Sequence, residues 1–148
     1  MRAAVAPYTG GGYMHTTDDR TPVTFITRYY LDKIKRLCDA HGTKLLFVTA
    51  PSPVNHTMQR HNEVQALADA LAVPYLDLNL NTEELGIDWN LDTLDGGDHL
   101  NYTGCQKATA YLQRYMQTHY TLPDRRDDVR YEAWNKQAEE FEKLLPQP

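Results

Sequence analysis

Apolar positions in this chain recur at two different periods, and the switches between them predict the elements. From Ile26 through Tyr30, Ile34, Leu37 and Cys38 they fall three or four apart, the spacing of one helix face. Thr21-Pro22 supplies a start, with Thr as N-cap and Pro in the first helical position, and Gly42 supplies a stop, so a helix is expected over 22–41. Lys44–Thr49 is then an unbroken apolar run closed by Pro51-Ser52-Pro53, which suits a strand at 44–50 buried on both faces of a parallel sheet. Val64, Leu67, Ala68 and Leu71 return to helical spacing over 57–72, and Pro74–Leu78 reads as a second buried strand at 73–78. A strand, a helix and a strand joined in this way imply a right-handed parallel unit. Cys105, Ala108, Leu112, Tyr115 and Met116 share a helix face over 103–119, and Tyr131, Trp134, Ala138, Phe141 and Leu145 share one over 130–145.

The first twenty residues are weakly patterned. Arg2–Tyr8 has the character of a short strand, whereas Gly10–Gly12 and Thr16–Arg20 read as loop. The chain therefore divides into a weakly structured segment, 1–20, and an α/β portion, 21–148. Two strands are few for four helices, because a lone pair leaves two open edges and little face to cover. Either Arg2–Tyr8 adds a strand or strands of the fold are missing from this sequence.

Composition narrows the function classes. With 41% hydrophobic and 24% charged residues in 148, the chain can bury a core, and disorder is disfavoured. Fifteen Lys+Arg against twenty Asp+Glu give a formal charge of −5 without a basic block, which argues against general nucleic-acid binding. The longest apolar run, Leu45–Ala50, is too short to span a bilayer, and Met1–Gly12 has no long apolar core of the signal-peptide kind. Two cysteines, Cys38 and Cys105, are too few for a disulfide framework.

The chemistry concentrates in Asp92-Thr-Leu-Asp95-Gly96-Gly97-Asp98-His99-Leu100-Asn101-Tyr102-Thr103-Gly104, between a strand and a helix start. Ligands in open α/β sheets sit beyond the carboxyl ends of strands, where such a loop lies. An imidazole beside a carboxylate is a general base held in one tautomer. The two glycines would let the backbone fold so that an Asp reaches back to His99. The competing reading is a helix-entry loop in which Asp98 or Asn101 only caps the next helix.

The segment Asp95-Gly-Gly-Asp98-His99-Leu100-Asn101-x-x-Gly104 resembles the C-terminal catalytic motif of SGNH/GDSL-type hydrolases, in particular their envelope-associated bacterial branch. The resemblance takes in Leu76-Asp77-Leu78-Asn79, the Thr49–Pro53 turn, Leu122–Arg126 and Tyr131…Trp134, covering roughly residues 25–140. It implies a flavodoxin-like three-layer α/β/α sandwich with a parallel sheet, here incomplete. It also implies hydrolysis or transfer of acyl groups on carbohydrate or lipid esters by a Ser-His-Asp triad, a cell-envelope or extracytoplasmic setting, and no cofactor. His99 would be the base and Asp95 its orienting carboxylate. The family spaces this Asp and His by three rather than four, and Asp98 is the alternative. The family's Gly-Asp-Ser nucleophile segment and its Gly-x-Asn-Asp oxyanion segment are absent from this sequence. The expected function is thus the His/Asp arm of an acyl hydrolase or acyltransferase; the alternative is a non-catalytic module that binds a partner or a second copy along an open sheet edge.

The remaining signals receive plainer readings. Ser52, the single serine, is expected to be a turn residue. Cys38 is expected to be a small buried hydrophobe, and a Cys105–His99 nucleophilic pair is weighed and set aside. A metal site of Asp95, Asp98 and His99 lacks a second His at a helical offset, and His56 and His61, five apart, are expected to face solvent. Trp89 is expected to be a local anchor, and Asp124–Asp128 a solvated linker.

Overall fold

A computed structural model describes residues 4–144, a mixed α/β chain that includes a two-stranded parallel sheet. The chain divides into two compact units, residues 1–109 and 110–148. The first holds α1 (Phe25–Ala40), β1 (Phe47–Thr49), α2 (Met58–Ala70), β2 (Tyr75–Asp77), a 3-10 turn at Leu78–Asn81, the single-turn α3 (Thr82–Leu85) and the start of α4 (Tyr102–His119). The second holds the rest of α4, a 3-10 turn at Val129–Tyr131 and α5 (Glu132–Lys143). Leu145, expected on the last helix, lies outside the described residues, as do Arg2 and Ala3 of the suggested strand; residues 4–8 form no regular strand.

Helix ends follow local chemistry, with one shift. α1 starts at Phe25 because Thr24, not Thr21, is its cap: the Thr24 hydroxyl accepts the Thr27 N–H at 3.1 Å. The Thr21 N–H is spent instead on the Gln59 carbonyl of α2. At the far end Gly42 takes φ +63°, and the N–H groups of Gly42 and Thr43 close back on Asp39 and Cys38, a Schellman motif. α2 ends in the same motif, with Ala72 and Val73 donating to Asp69 and Ala68, but the left-handed position is filled by alanine at φ +51°.

The strands pair in parallel, with Phe47 opposite Tyr75, Val48 opposite Leu76 and Thr49 opposite Asp77. Burial departs from expectation. Among the described residues the buried apolar side chains are Pro51, Pro53, Leu67, Ala68, Val73, Leu76, Leu78 and Leu85. β1 is half-exposed, with Val48 at 41%, since a pair of strands has no further layer to cover it. The α1 stripe expected to face inward is in water for the same reason: Ile26, Tyr30, Ile34 and Leu37 are all exposed, and Cys38 is half-buried rather than buried. α1 is held to α2 through the buried Glu63, which takes the Arg28 guanidinium at 2.6 Å. Trp134 and Phe141 on α5 are likewise exposed.

Buried polar groups complete the interior. Burial pushes the Asp77 carboxyl up, but hydrogen bonds from His56 and Asn79 outweigh it and hold the carboxyl well below its ordinary range. Asp92 follows the same balance, its burial outweighed by the Lys107 ammonium at 2.5 Å, the Asp88 N–H and the Thr103 hydroxyl. Asn101 caps α4 by accepting the Gly104 N–H at 3.1 Å while its amide donates to the Leu91 carbonyl at 2.6 Å.

Gly104 is buried inside α4, and a Cβ there would overlap the Asp92 carbonyl oxygen and stand 3.1 Å from the Asp92 and Leu100 Cβ atoms. Two substitutions should therefore invert their usual ranking in a denaturant melt. Ala72→Gly relieves the left-handed alanine and is expected to stabilise by about 1 kcal/mol. Gly104→Ala, which helix propensity alone would favour, is expected to destabilise by about 1–3 kcal/mol through overpacking against backbone. A stabilised Gly104→Ala variant would show that the Asp92–Gly104 approach is not as tight as described.

Candidate functional site

The loop from Thr93 to Leu100 folds on itself as a short hairpin. Thr93 and Leu100 form an antiparallel bridge, and the Leu94 N–H donates to the His99 carbonyl at 2.9 Å. Inside the turn the Thr93 hydroxyl accepts the Gly97 N–H at 2.6 Å. Gly96 and Gly97 take φ +74° and +98°, which a side chain would strain; at Gly97 a Cβ would also stand 2.8 Å from Pro53 and 2.9 Å from the Tyr8 ring. This reversal brings Asp95 back onto His99. The two Asp95 oxygens take the His99 N–H at 2.7 Å and its Nδ1 at 2.8 Å.

Of the two carboxylates considered, Asp95 is the one hydrogen-bonded to the ring. Asp98 lies 3.7 Å from the same nitrogen and accepts the side-chain amide of Asn55. Nδ1 therefore carries the proton, leaving Nε2 as the acceptor, and no described residue bonds to it. The Asp95 hydrogen bond, then the charge of Asp98, pushes the His99 ring above its ordinary value, while His99 holds Asp95 below its own. His99 is two-thirds exposed, so these partners act through solvent.

The N-terminal segment laces this loop in place. The Ala6 N–H donates to the Thr93 carbonyl, the Gly96 N–H to the Ala6 carbonyl, and the Tyr8 N–H to the Trp89 carbonyl, at 2.9–3.1 Å. Trp89 meets Tyr8 and Tyr13 edge-on, with centroids about 6 Å apart. From the other side Ser52 donates its hydroxyl to the carbonyls of Asp98 at 2.9 Å and Gly97 at 3.2 Å, and accepts the Asn55 N–H. Its N–H donates to Asn79 at 2.8 Å, and the Asn79 amide donates to Asp77 at 2.8 Å. A continuous chain of hydrogen bonds thus runs from Asp77 to the His99 loop.

Cys105 does not form a thiolate site: burial pushes its thiol up, and its Sγ points to the Leu100 carbonyl at 3.8 Å. His56 and His61 correct the expectation of solvent exposure. His56 is buried, His61 is mostly so, and both rings converge on Asp77 Oδ2 at 2.8 Å. Helical-offset reasoning failed here because His56 is not on the helix; Thr57 caps α2, and His56 turns inward ahead of it. The available signal was Asp77 itself, a carboxylate at the end of an apolar strand, which needs partners wherever it is buried.

Two clusters therefore bring three metal-type ligand atoms within 4.8 Å of one another: His56, His61 and Asp77, buried, and Asp95, Asp98 and His99, exposed. Among the described residues no helix is long and apolar enough to cross a membrane. Comparison with protein-family models, with curated proteins and with solved structures finds no match to this chain.

Proposed function

We propose that this chain supplies the His/Asp arm of an SGNH/GDSL-like acyl-transfer site, on an incomplete flavodoxin-like α/β/α sandwich. The observation that carries the reading is the His99–Asp95 pair at 2.8 Å, with Nε2 turned to solvent on a loop pinned by three separate segments. In this role His99 Nε2 takes the proton from an attacking serine hydroxyl as the oxygen bonds to the ester carbonyl. It then returns that proton to the departing alkoxide, while Asp95 stabilises the imidazolium. The substrate class is an acylated carbohydrate or a lipid ester. The serine belongs outside this chain, because Ser52 is engaged with Asp98, Gly97 and Asn55 and acts as a staple of the turn.

A second reading is a module that associates with its own copy. It is favoured by the apolar surface on α1, where Phe25 is 81% exposed and Ile26 66%, and by the open sheet edge. Light scattering at micromolar concentration should then give a dimer mass; a clean monomer sinks this reading and leaves the first untouched.

The first reading predicts two further results. In an NMR titration of the His99 ring, Asp95→Asn should lower the midpoint, and Asp98→Asn should lower it less, since Asp98 acts by charge without the hydrogen bond. The sign also fixes the linkage. A ring raised in the folded state contributes stability that is fully present below its unfolded value of about 6.5 and is lost as pH rises through the folded one. If neither substitution moves the titration, the triad-arm assignment fails. Hydrolysis of p-nitrophenyl acetate by the isolated chain should not exceed that of free imidazole at equal concentration, and Ser52→Ala should leave it unchanged. A large loss on that substitution would make Ser52 a nucleophile.

A further inference from the structure

The buried cluster at the carboxyl ends of the two strands supports the His99 loop through Asn79 and Ser52, but the proposed chemistry gives its two histidines no role. Asp77 receives five donors: the Asn79 N–H and side-chain amide at Oδ1, and His56 Nε2, His61 Nδ1 and the Tyr75 hydroxyl at Oδ2. A carboxylate offers about four lone-pair sites, two to each oxygen, so Oδ2 carries one donor more than it can serve well. Two imidazole nitrogens aimed at one carboxylate oxygen from 2.8 Å are a ligand set as much as a hydrogen-bond set. The side chains of Asp77 and His56 are 1% and 7% exposed, so any cation there would be shielded from competing water.

We propose that His56 Nε2, His61 Nδ1 and Asp77 Oδ2 bind a divalent first-row transition ion of the zinc class. Neutral imidazole nitrogen with one carboxylate oxygen is a donor set that zinc accepts, whereas the hard magnesium and calcium ions prefer oxygen alone. Tetrahedral bonds of about 2.0–2.1 Å place ligand atoms about 3.3 Å apart, so the set opens by only about half an ångström on each nitrogen–oxygen side. Binding moves each ring proton to the far nitrogen, and a ring that begins protonated releases one proton. The supporting contacts are already present. Asn79 fixes Oδ1, the Tyr75 hydroxyl donates to Oδ2 at 3.1 Å, and Tyr75 is itself held by Thr49 at 2.9 Å. His56 and Thr49 also line a cleft of about 370 Å³, so the His56 side of the cluster is the side from which an ion would enter. The ion would tie the turn before α2, α2 itself and β2 into one unit, and the proposal stands whether or not His99 acts as a base.

The test uses metal alone on the full chain. One equivalent of Zn²⁺ should bind in calorimetry and raise the melting temperature. With Co²⁺ in the unmutated chain, the ring resonances of His56 and His61 should shift and broaden before those of His15, His41, His99 and His119. Tyr75→Phe should weaken binding by about 10-fold or more through its lost contact to Oδ2, and His61→Gln by more than about 100-fold, each with an unchanged far-UV spectrum. The proposal is overturned if Zn²⁺ does not bind, if His61→Gln binds as the parent does, or if Co²⁺ acts first on His99, which would assign the ion to the exposed Asp95–Asp98–His99 cluster. The Co²⁺ experiment needs no variant and so decides the matter even where a substitution unfolds the chain.

Discussion

A buried carboxylate must be satisfied completely or it unfolds what surrounds it, and Asp77 imposes that constraint on this chain. Its position at the end of β2 is dictated by the strand pattern, opposite Thr49 in the parallel register. Satisfying it draws in His56 from the turn before α2, His61 from α2 and Asn79 from the 3-10 turn that follows the strand. Asn79 is then fully committed as well, donating to Asp77 and the Ala50 carbonyl and accepting from Ser52 and Tyr13. Ser52 in turn holds the two carbonyls that precede His99. The placement of the candidate base therefore depends in part on how one buried carboxylate is hydrogen-bonded.

The reliance on polar contacts follows from how little apolar surface the strands can cover. Among the described residues eight apolar side chains are buried, Pro51 and Pro53 included, against seven polar or charged ones; of the latter, Glu63 faces Arg28 and the rest gather around Asp77 and around the Asp92–Asn101 pair. Hydrogen bonds contribute modestly each but cost much when left unmade, so such an interior is specific in geometry rather than generously stable. No buried side-chain polar atom among the described residues lacks a partner. The exposed stripe on α1 is the other face of the same fact: a helix patterned for a sheet that here has two strands.

What the sequence revealed and what it concealed divide along the range of the interactions. Parallel pairing, the Gly42 stop and the turn chemistry of Gly96-Gly97 are local or near-local and were legible from spacing and residue type. The α1 start differs because both Thr21 and Thr24 are cap residue types, and the chain at Thr21 is tied by its backbone to Gln59 of α2 while Thr24 takes the cap. The inward turn of His56 was hidden in the same way, since it is drawn by Asp77, twenty-one residues on. Residues 4–8 have the sequence character of a short strand but form none, because the hydrogen bonds of Ala6 and Tyr8 go to a loop, at Trp89, Thr93 and Gly96, and not to a sheet edge.

The geometry of the His99 loop leaves room for both a capping role and the proposed acyl-transfer role, and the division between them bears on what the proposed site would require. Asn101 caps α4, Asp92 anchors the loop through Lys107, and Asp95 alone is left for the ring. The dyad is thus assembled before any substrate arrives, by a backbone that Thr93, Ser52 and Ala6 already hold. His99 nevertheless stands in water, where a carboxylate partner is screened, whereas acyl transfer needs charge stabilised in a site closed to solvent. In the proposed acyl-transfer role, whatever completed the site would have to cover the ring as well as bring a hydroxyl to Nε2. Covering has two opposed effects: desolvation disfavours the imidazolium, while the pull of Asp95 grows as the surrounding dielectric falls. The hydrogen bond is already made, so the balance between desolvation and the pull of Asp95, with the charge of Asp98 beside it, would set the basicity of His99.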